Sequence, residues 1–179
     1  MTAGQRQTAR LIPGSKAPEL DVPLLAGGRW RLSEQKPEKF TLIHVFRGVH
    51  CTFCQPEVEK LQTMMAGFAE IGVSLLSLSM DSRERAERAR DEWNFDSLPF
   101  AYGLTEEQAR SWGLFLSPRV KDKEPELFAE PAAFLVNAEG LLHAEFQSSV
   151  PWMRMDLDTF YRGIQVAMQR GTPPRGTHV

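Results

Sequence analysis

TLIHVFRGVHCTFCQPEVEKLQTMMAGFAEIGVSLLSLSM, residues 41–80, is the stretch from which the fold can be read. Thr41–Phe46 is a nearly continuous apolar run with β-branched content, the pattern of a strand buried on both faces. Val73–Met80 is a second such run. Between them Val58, Leu61, Met65, Phe68 and Ile71 recur at steps of three and four, so one face of a helix is apolar. Pro56 falls where a first helical turn tolerates proline, and Gly72 is a C-terminal stop. A strand, a helix and a strand in this span make a βαβ unit, with parallel strands and a right-handed crossover.

Outward from that unit the chain keeps alternating its hydrophobic period. Asp81–Trp93 (DSRERAERARDEW) predicts a charged helix, with Asp81 and Glu84 spaced as a capping box and Glu84 one turn from Arg88. Ala86, Ala89 and Trp93 form its narrow apolar stripe, and its arginines read as a solvated face of mixed charge rather than an anion-binding patch. Thr105–Gln108 (TEEQ) starts a short helix to Trp112–Gly113. Lys121–Glu130 reads as an exposed loop. Ala132–Val136 and Leu141–Phe146, joined by Asn137-Ala-Glu-Gly140, predict a hairpin. A helix over Asp156–Gln169 closes the domain, with Leu157, Phe160, Ile164 and Met168 on one side. Upstream, Leu20–Leu32 adds an N-terminal hairpin. The expected architecture is an α/β sandwich: a mixed central β-sheet with helices on both faces, spanning residues 13–170 between a flexible N-terminus (1–12) and a flexible tail (171–179).

Composition narrows the partners. The 179 residues carry 21 Lys+Arg against 23 Asp+Glu, a net charge of -2, which gives no footprint for nucleic acid or an anionic membrane. No apolar run reaches the ~18 residues of a membrane helix. The opening MTAGQRQTARLIPGSKAP lacks the apolar stretch of a secretory signal. Two cysteines make no disulfide scaffold, and the expected location is the cytoplasm. The four tryptophans, Trp30, Trp93, Trp112 and Trp152, are expected in the core.

Those two cysteines, Cys51 and Cys54, follow the first buried strand at the start of the helix. Two intervening residues let one helical turn bring the sulfurs within disulfide reach. Unpaired amides and the helix dipole there favour an anion, and the thiolate is the reactive form of cysteine. Cys51 is expected as the attacking thiol and Cys54, one turn deeper, as the partner that resolves it. His50 and Arg47 are expected to add positive charge. A zinc site needs four ligands, and the spare histidines are His44, His50, His143 and His178. Of these, His44 and His143 sit in apolar strands and read as core or edge residues. Two thiolates and a histidine also suit Cu(I), so a copper-binding or delivery protein is the alternative. Pro131, just before AAFLV, is a position where a cis peptide bond is affordable, an ordinary edge proline being the other reading.

FRGVHCTFC, the long helix after it, VSLLSLSMDS and EPAAFLVNAEG resemble the thioredoxin superfamily, and most closely the peroxiredoxin-like branch of the alkyl hydroperoxide reductase/thiol-specific antioxidant family. PGSKAPELDVPLLAGGRWRLSE is similar to that family's opening, and the resemblance spans residues 13–170. It implies a thioredoxin-like three-layer sandwich. It also implies an oxidoreductase that reduces hydroperoxides or exchanges disulfides at the expense of an external thiol, with no cofactor. Carried over, it makes Cys51 the nucleophile, Cys54 its partner and Pro131 the cis-proline beside the pair. A homodimer is compatible with the sequence, which sets no oligomeric state. The chain departs from the family at three points. The Pro-x-x-x-Thr-x-x-Cys pattern is missing before either cysteine. Pro131 stands where peroxiredoxins carry an arginine, leaving Arg47, Arg119 and Arg154 as candidates to replace it. Val45 stands where thioredoxins place a buried acid, so proton handling falls to His50, solvent or another group.

Overall fold

The computed structural model describes residues 10–178. A short hairpin, β1 (Asp21–Pro23) and β2 (Arg29–Arg31), precedes β3 (Phe40–Val45), α1 (Cys54–Glu70) and β4 (Val73–Leu78). Then come α2 (Arg83–Trp93), β5 (Phe100–Ala101), α3 (Glu106–Ser111), β6 (Leu116–Pro118) and β7 (Leu127–Ala129). The chain closes with β8 (Ala132–Asn137), β9 (Leu142–Gln147) and α4 (Leu157–Arg170). The central sheet runs β5-β4-β3-β8-β9. β3, β4 and β5 are parallel, while β8 and β9 run antiparallel to their neighbours. The βαβ unit, the mixed sheet and both hairpins stand where the periodicity predicts them. Most of the expected loose segment 1–12 lies outside the described residues.

Strand alternation sorts the core into two layers, because successive side chains point to opposite faces. Leu42 and Phe46 face the layer of α1, α2 and α4, where they meet Val58, Leu61, Phe68, Trp93 and Ile164. Ile43 and Val45 face the other layer, closed by the β1–β2 hairpin and α3 through Trp30, Ala109 and Trp112. Fully burying a side chain such as Leu61 or Phe68 contributes roughly 1.5–3 kcal/mol. The same alternation puts His44 on the α1 side. Its register partner on β4, Ser77, lies beside it. α4 is pinned to α1 by the Lys60–Asp158 ion pair and by Tyr161, whose hydroxyl donates to the Gly67 carbonyl at 3.2 Å. This fixes the end of the 148–156 segment that leads into α4.

Four expectations need correction. The cap of α2 is Ser82, whose Oγ accepts from Arg85 N at 3.4 Å; Asp81 is fully buried and bonded elsewhere. Glu84 does not pair with Arg88; the pairs one turn apart on that helix are Arg83–Glu87 and Arg88–Glu92. Lys121–Glu130 is not simply an exposed loop. Leu127–Ala129 is a strand paired to β6, and Phe128, Glu124 and Glu130 are buried. Charge concealed that strand, since the two glutamates are inside only because a cation meets them there. Of the tryptophans, three are buried but Trp152 is 64% exposed.

Candidate active site

The chain leaves β3 at Phe46 and reaches α1 at Cys54 through a turn bonded to itself. Cys51 N donates to the Gly48 carbonyl and Cys54 N to the Cys51 carbonyl, both at 3.0 Å. Phe53 caps the helix in helical conformation without a side-chain bond, so no hydroxyl or carboxylate competes for the first amides. Gly48 has φ +126, and a Cβ on it would lie 2.6 Å from Asp81 Oδ2. That closeness is used. Asp81, at the end of β4, accepts from Val49 N at 2.8 Å and from Arg85 Nε at 2.6 Å, tying the cysteine turn to α2.

Both cysteines are free thiols, Cys51 3% and Cys54 0% exposed. The adjacent Cys54 thiol is the largest effect holding the Cys51 thiol down at about 6. Burial opposes it, while the cations of Arg154 and then Arg47 add to it. Burial pushes the Cys54 thiol well up, and the neighbouring Cys51 charge adds to the rise. Of the two thiols, the Cys51 thiol is the one held below its ordinary range.

Arg154 carries the charge that makes this possible. Its Nη2 lies 3.4 Å from Cys51 Sγ and 3.2 Å from Cys54 Sγ, its Nε donates to the Pro151 carbonyl at 2.5 Å, and its Nη1 pairs with Glu57 Oε2. Of the three candidate arginines it is the one whose guanidinium reaches both sulfurs. Arg47 stands behind Cys51, 3.0 Å from Glu130 and 3.5 Å from Glu124, with its guanidinium 4.6 Å over the Phe128 ring. Arg119 is occupied with Glu126 and the Glu124 carbonyl.

Sequence reading missed Glu57, one turn into α1 from Cys54. Burial works against its carboxylate, but His44 and Arg154 outweigh it and hold the carboxyl below its ordinary range. His44 Nε2 lies 3.3 Å from the same Glu57 Oε2, outside good hydrogen-bond geometry but in ion-pair range. His44 Nδ1 shares a 2.9 Å hydrogen bond with Ser77 Oγ. His44 is thus a buried core residue, as expected, and also a neighbour of the site. The helical step from Cys54 to Glu57 is the one sequence signal that finds the acid.

His50 corrects an expectation. Burial lowers its pKa to about 4, so it brings no positive charge at neutral pH. Arg85 Nη2 is 3.2 Å from His50 Nδ1, which leaves the ring proton on Nε2. Pro131 is buried directly before Ala132, the register partner of Val45. No peptide bond among the described residues is cis, so the bond before Pro131 is trans. The trans form is the ordinary one for an X–Pro bond, favoured by about 0.5–1 kcal/mol.

The copper alternative lacks support. A guanidinium within 3.4 Å of both sulfurs occupies the position a soft cation would take. Among the described residues no group of three His, Cys, Asp or Glu converges on a metal position. Among the described residues, no helix is long and apolar enough to cross a membrane.

The backbone is similar to that of solved peroxiredoxins. Peroxidoxin BcpB from Mycobacterium tuberculosis matches with TM-score 0.68 at 16% identity, covering 91% of this chain and 99% of that one. A peroxiredoxin-like protein from Aquifex aeolicus gives 0.72 at 17%, covering 89% and 90%, and Mycobacterium bovis AhpC gives 0.73 at 14%, covering 96% and 99%. At these identities the likeness is one of fold. No curated protein matches the chain in sequence. Residues 13–145 match the model of the AhpC/TSA family, and with most of its length so covered the chain belongs to the AhpC/TSA family of thiol-dependent oxidoreductases.

Proposed function

We propose that the chain is a thiol peroxidase in which Cys51 attacks and Cys54 resolves. The observation that carries this reading is a guanidinium set on two free thiols, Arg154 Nη2 lying 3.4 Å from Cys51 Sγ and 3.2 Å from Cys54 Sγ, with Cys54 the more deeply buried of the two and its thiol pushed up by that burial. The Cys51 thiolate attacks the terminal oxygen of a hydroperoxide, the O–O bond breaks, and the alkoxide leaves with a proton as an alcohol, giving Cys51 sulfenic acid. The Cys54 sulfur then displaces the hydroxyl. Its proton leaves with that group as water, and a Cys51–Cys54 disulfide forms. Two equivalents of an external thiol restore the dithiol and leave as their own disulfide, a step suited to a reducing compartment such as the cytoplasm.

Arg154 replaces, in space, the arginine that Pro131 displaces from the sequence. It compensates the thiolate and is placed to donate to the breaking O–O bond. Pro131 closes the wall of the site where β8 begins beside β3, and its carbonyl is held by Ser148 N at 2.9 Å. Disulfide exchange uses the same dithiol and follows the same order of attack.

The test is trapping. Reduced protein treated with one equivalent of hydrogen peroxide should yield the Cys51–Cys54 disulfide by peptide mass. Cys54→Ser should accumulate Cys51 sulfenic acid, and Cys51→Ser should not consume peroxide. Peroxide turnover persisting in Cys51→Ser would overturn the assignment.

A further inference from the structure

A row of groups of alternating character runs from the centre of the sheet to the sulfurs. Ser77 on β4 bonds His44 on β3, His44 faces Glu57 on α1, Glu57 pairs with Arg154, and Arg154 reaches Cys51 and Cys54. The detail that matters is which atoms are used. His44 Nε2 and Arg154 Nη1 both address one carboxylate oxygen, Glu57 Oε2, while Nη2 is left to the sulfurs. Guanidinium and carboxylate, left to themselves, favour a fork with two parallel bonds. That fork would draw Nη2 onto the second carboxylate oxygen and away from the cysteines.

We propose that His44 is a positioning residue: by engaging Glu57 Oε2 from the sheet side, it keeps the Glu57–Arg154 pair single-pronged and so leaves Nη2 to the sulfurs. The proton on Nε2 follows from the neighbours. A lone pair on Nε2 would face a carboxylate, so Nε2 carries a proton, while Nδ1 shares its 2.9 Å hydrogen bond with the Ser77 hydroxyl. Ser77 thereby fixes the ring. Packing agrees: His44 lies parallel to the Phe46 ring at 6.2 Å and is 3% exposed, so it cannot turn to water for another partner. The charged and titratable groups around the path are Glu57 from α1, Arg154 from the segment before α4, the two thiols, and Arg47 with its own Glu124 and Glu130.

The proposal rests on Cys51 being the reacting thiol, so the experiment reads that thiol directly. The rate of Cys51 alkylation by iodoacetamide, followed by peptide mass on the full chain, is measured against pH. For the unaltered chain the midpoint is expected at about 6. His44→Leu should move it up by about one pH unit, an approximately tenfold loss of rate on the acid side of the midpoint. His44→Gln, whose amide can still donate to Glu57 and sits in the same direction, should restore it. Ser77→Ala, which loosens the ring without removing it, should give a smaller upward shift. A midpoint in His44→Leu that is unchanged or lower overturns the proposal, as does His44→Gln behaving like His44→Leu. Should the leucine variant fail to fold, an unshifted midpoint in Ser77→Ala overturns it instead. Cys51 that is unreactive at pH 7 in the unaltered chain would be a different result, removing the reading of Cys51 as attacking thiol.

Discussion

Arg154 and Arg47 flank the same cysteine turn and are almost equally buried, with side chains 15% and 12% exposed, yet their surroundings give them different work. Arg154 meets one carboxylate, Glu57, and two sulfurs. Glu57 is met by Nη1 alone, which leaves Nη2 to face the two sulfurs. Arg47 meets two carboxylates, Glu124 and Glu130, and an aromatic face, so its charge is already more than matched. Both cations lower the Cys51 thiol. The donors left over once each carboxylate is met, rather than proximity alone, separate an arginine that faces both thiols from one that fastens the β6–β7 hairpin and the loop before β7 to the back of the site.

The sharpest way to break this comparison is to remove each cation in turn. Arg154→Met should lower kcat/KM for hydrogen peroxide by about 100- to 1000-fold, the range for losing one preorganised donor at developing charge. It should also return the Cys51 thiol toward its ordinary range, which alkylation against pH would show. An activity within a few-fold of the unaltered chain would refute the role given to Arg154. Arg47→Met should instead be read mainly in stability. It strands the Glu130 carboxylate inside the protein, a loss of about 3 kcal/mol in urea unfolding, and Glu130→Gln in the same chain should recover part of it. If Arg47→Met damages peroxide turnover as deeply as Arg154→Met while unfolding normally, the division of labour fails.

Gly48→Ala probes how firmly the turn is tied on the Arg47 side. The new Cβ would come within 2.9 Å of three Asp81 carboxyl atoms at a backbone angle of φ +126. About 2 kcal/mol of stability should be lost, visible as a lower Tm. An unchanged Tm would mean that Asp81 gives way freely. The smallest effect is in pH. The native Cys51 thiol loses its proton near 6 and the unfolded one near its ordinary 9.0. Between those values the unfolded chain binds more protons, so stability of the reduced protein rises with pH and is lost as pH falls through about 6. The gain should be on the order of 1 kcal/mol. Urea midpoints at pH 6 and 8.5 should show it in the unaltered chain and not in Cys51→Ser. An equal slope in both would assign the dependence elsewhere.

Local pattern carried the sequence reading a long way and stopped where partners became distant. Two-residue alternation in 41–46 and the three-and-four spacing in 58–71 are properties of neighbours in the chain, so β3, α1 and β4 were legible. So was the Thr105 capping box, in which Thr105 Oγ1 accepts from Gln108 N at 3.2 Å. β5 is a strand of two residues, too short to show a period. β7 was hidden by charge: Glu124 and Glu130 read as solvent-facing, and nothing local announces that Arg47, 77 residues from Glu124, takes them inside. His50 failed for a related reason. Adjacency to Cys51 suggested a cation, but burial keeps it neutral.

By itself the sequence determined that this is a βαβ-based α/β domain with a Cys-x-x-Cys pair at the head of its first helix. Those features depend on hydrophobic period, helix-stop glycine and residue spacing, all of which act within a turn or two of chain. Only the tertiary structure decided which groups surround the two sulfurs: Arg154, 100 residues from Cys54, with Glu57 paired to its guanidinium and His44 beside that carboxylate. Electrostatic energies fall with distance in space and are indifferent to distance in sequence, so the site's chemistry is settled by the sheet and the α1–α4 packing that bring these groups together.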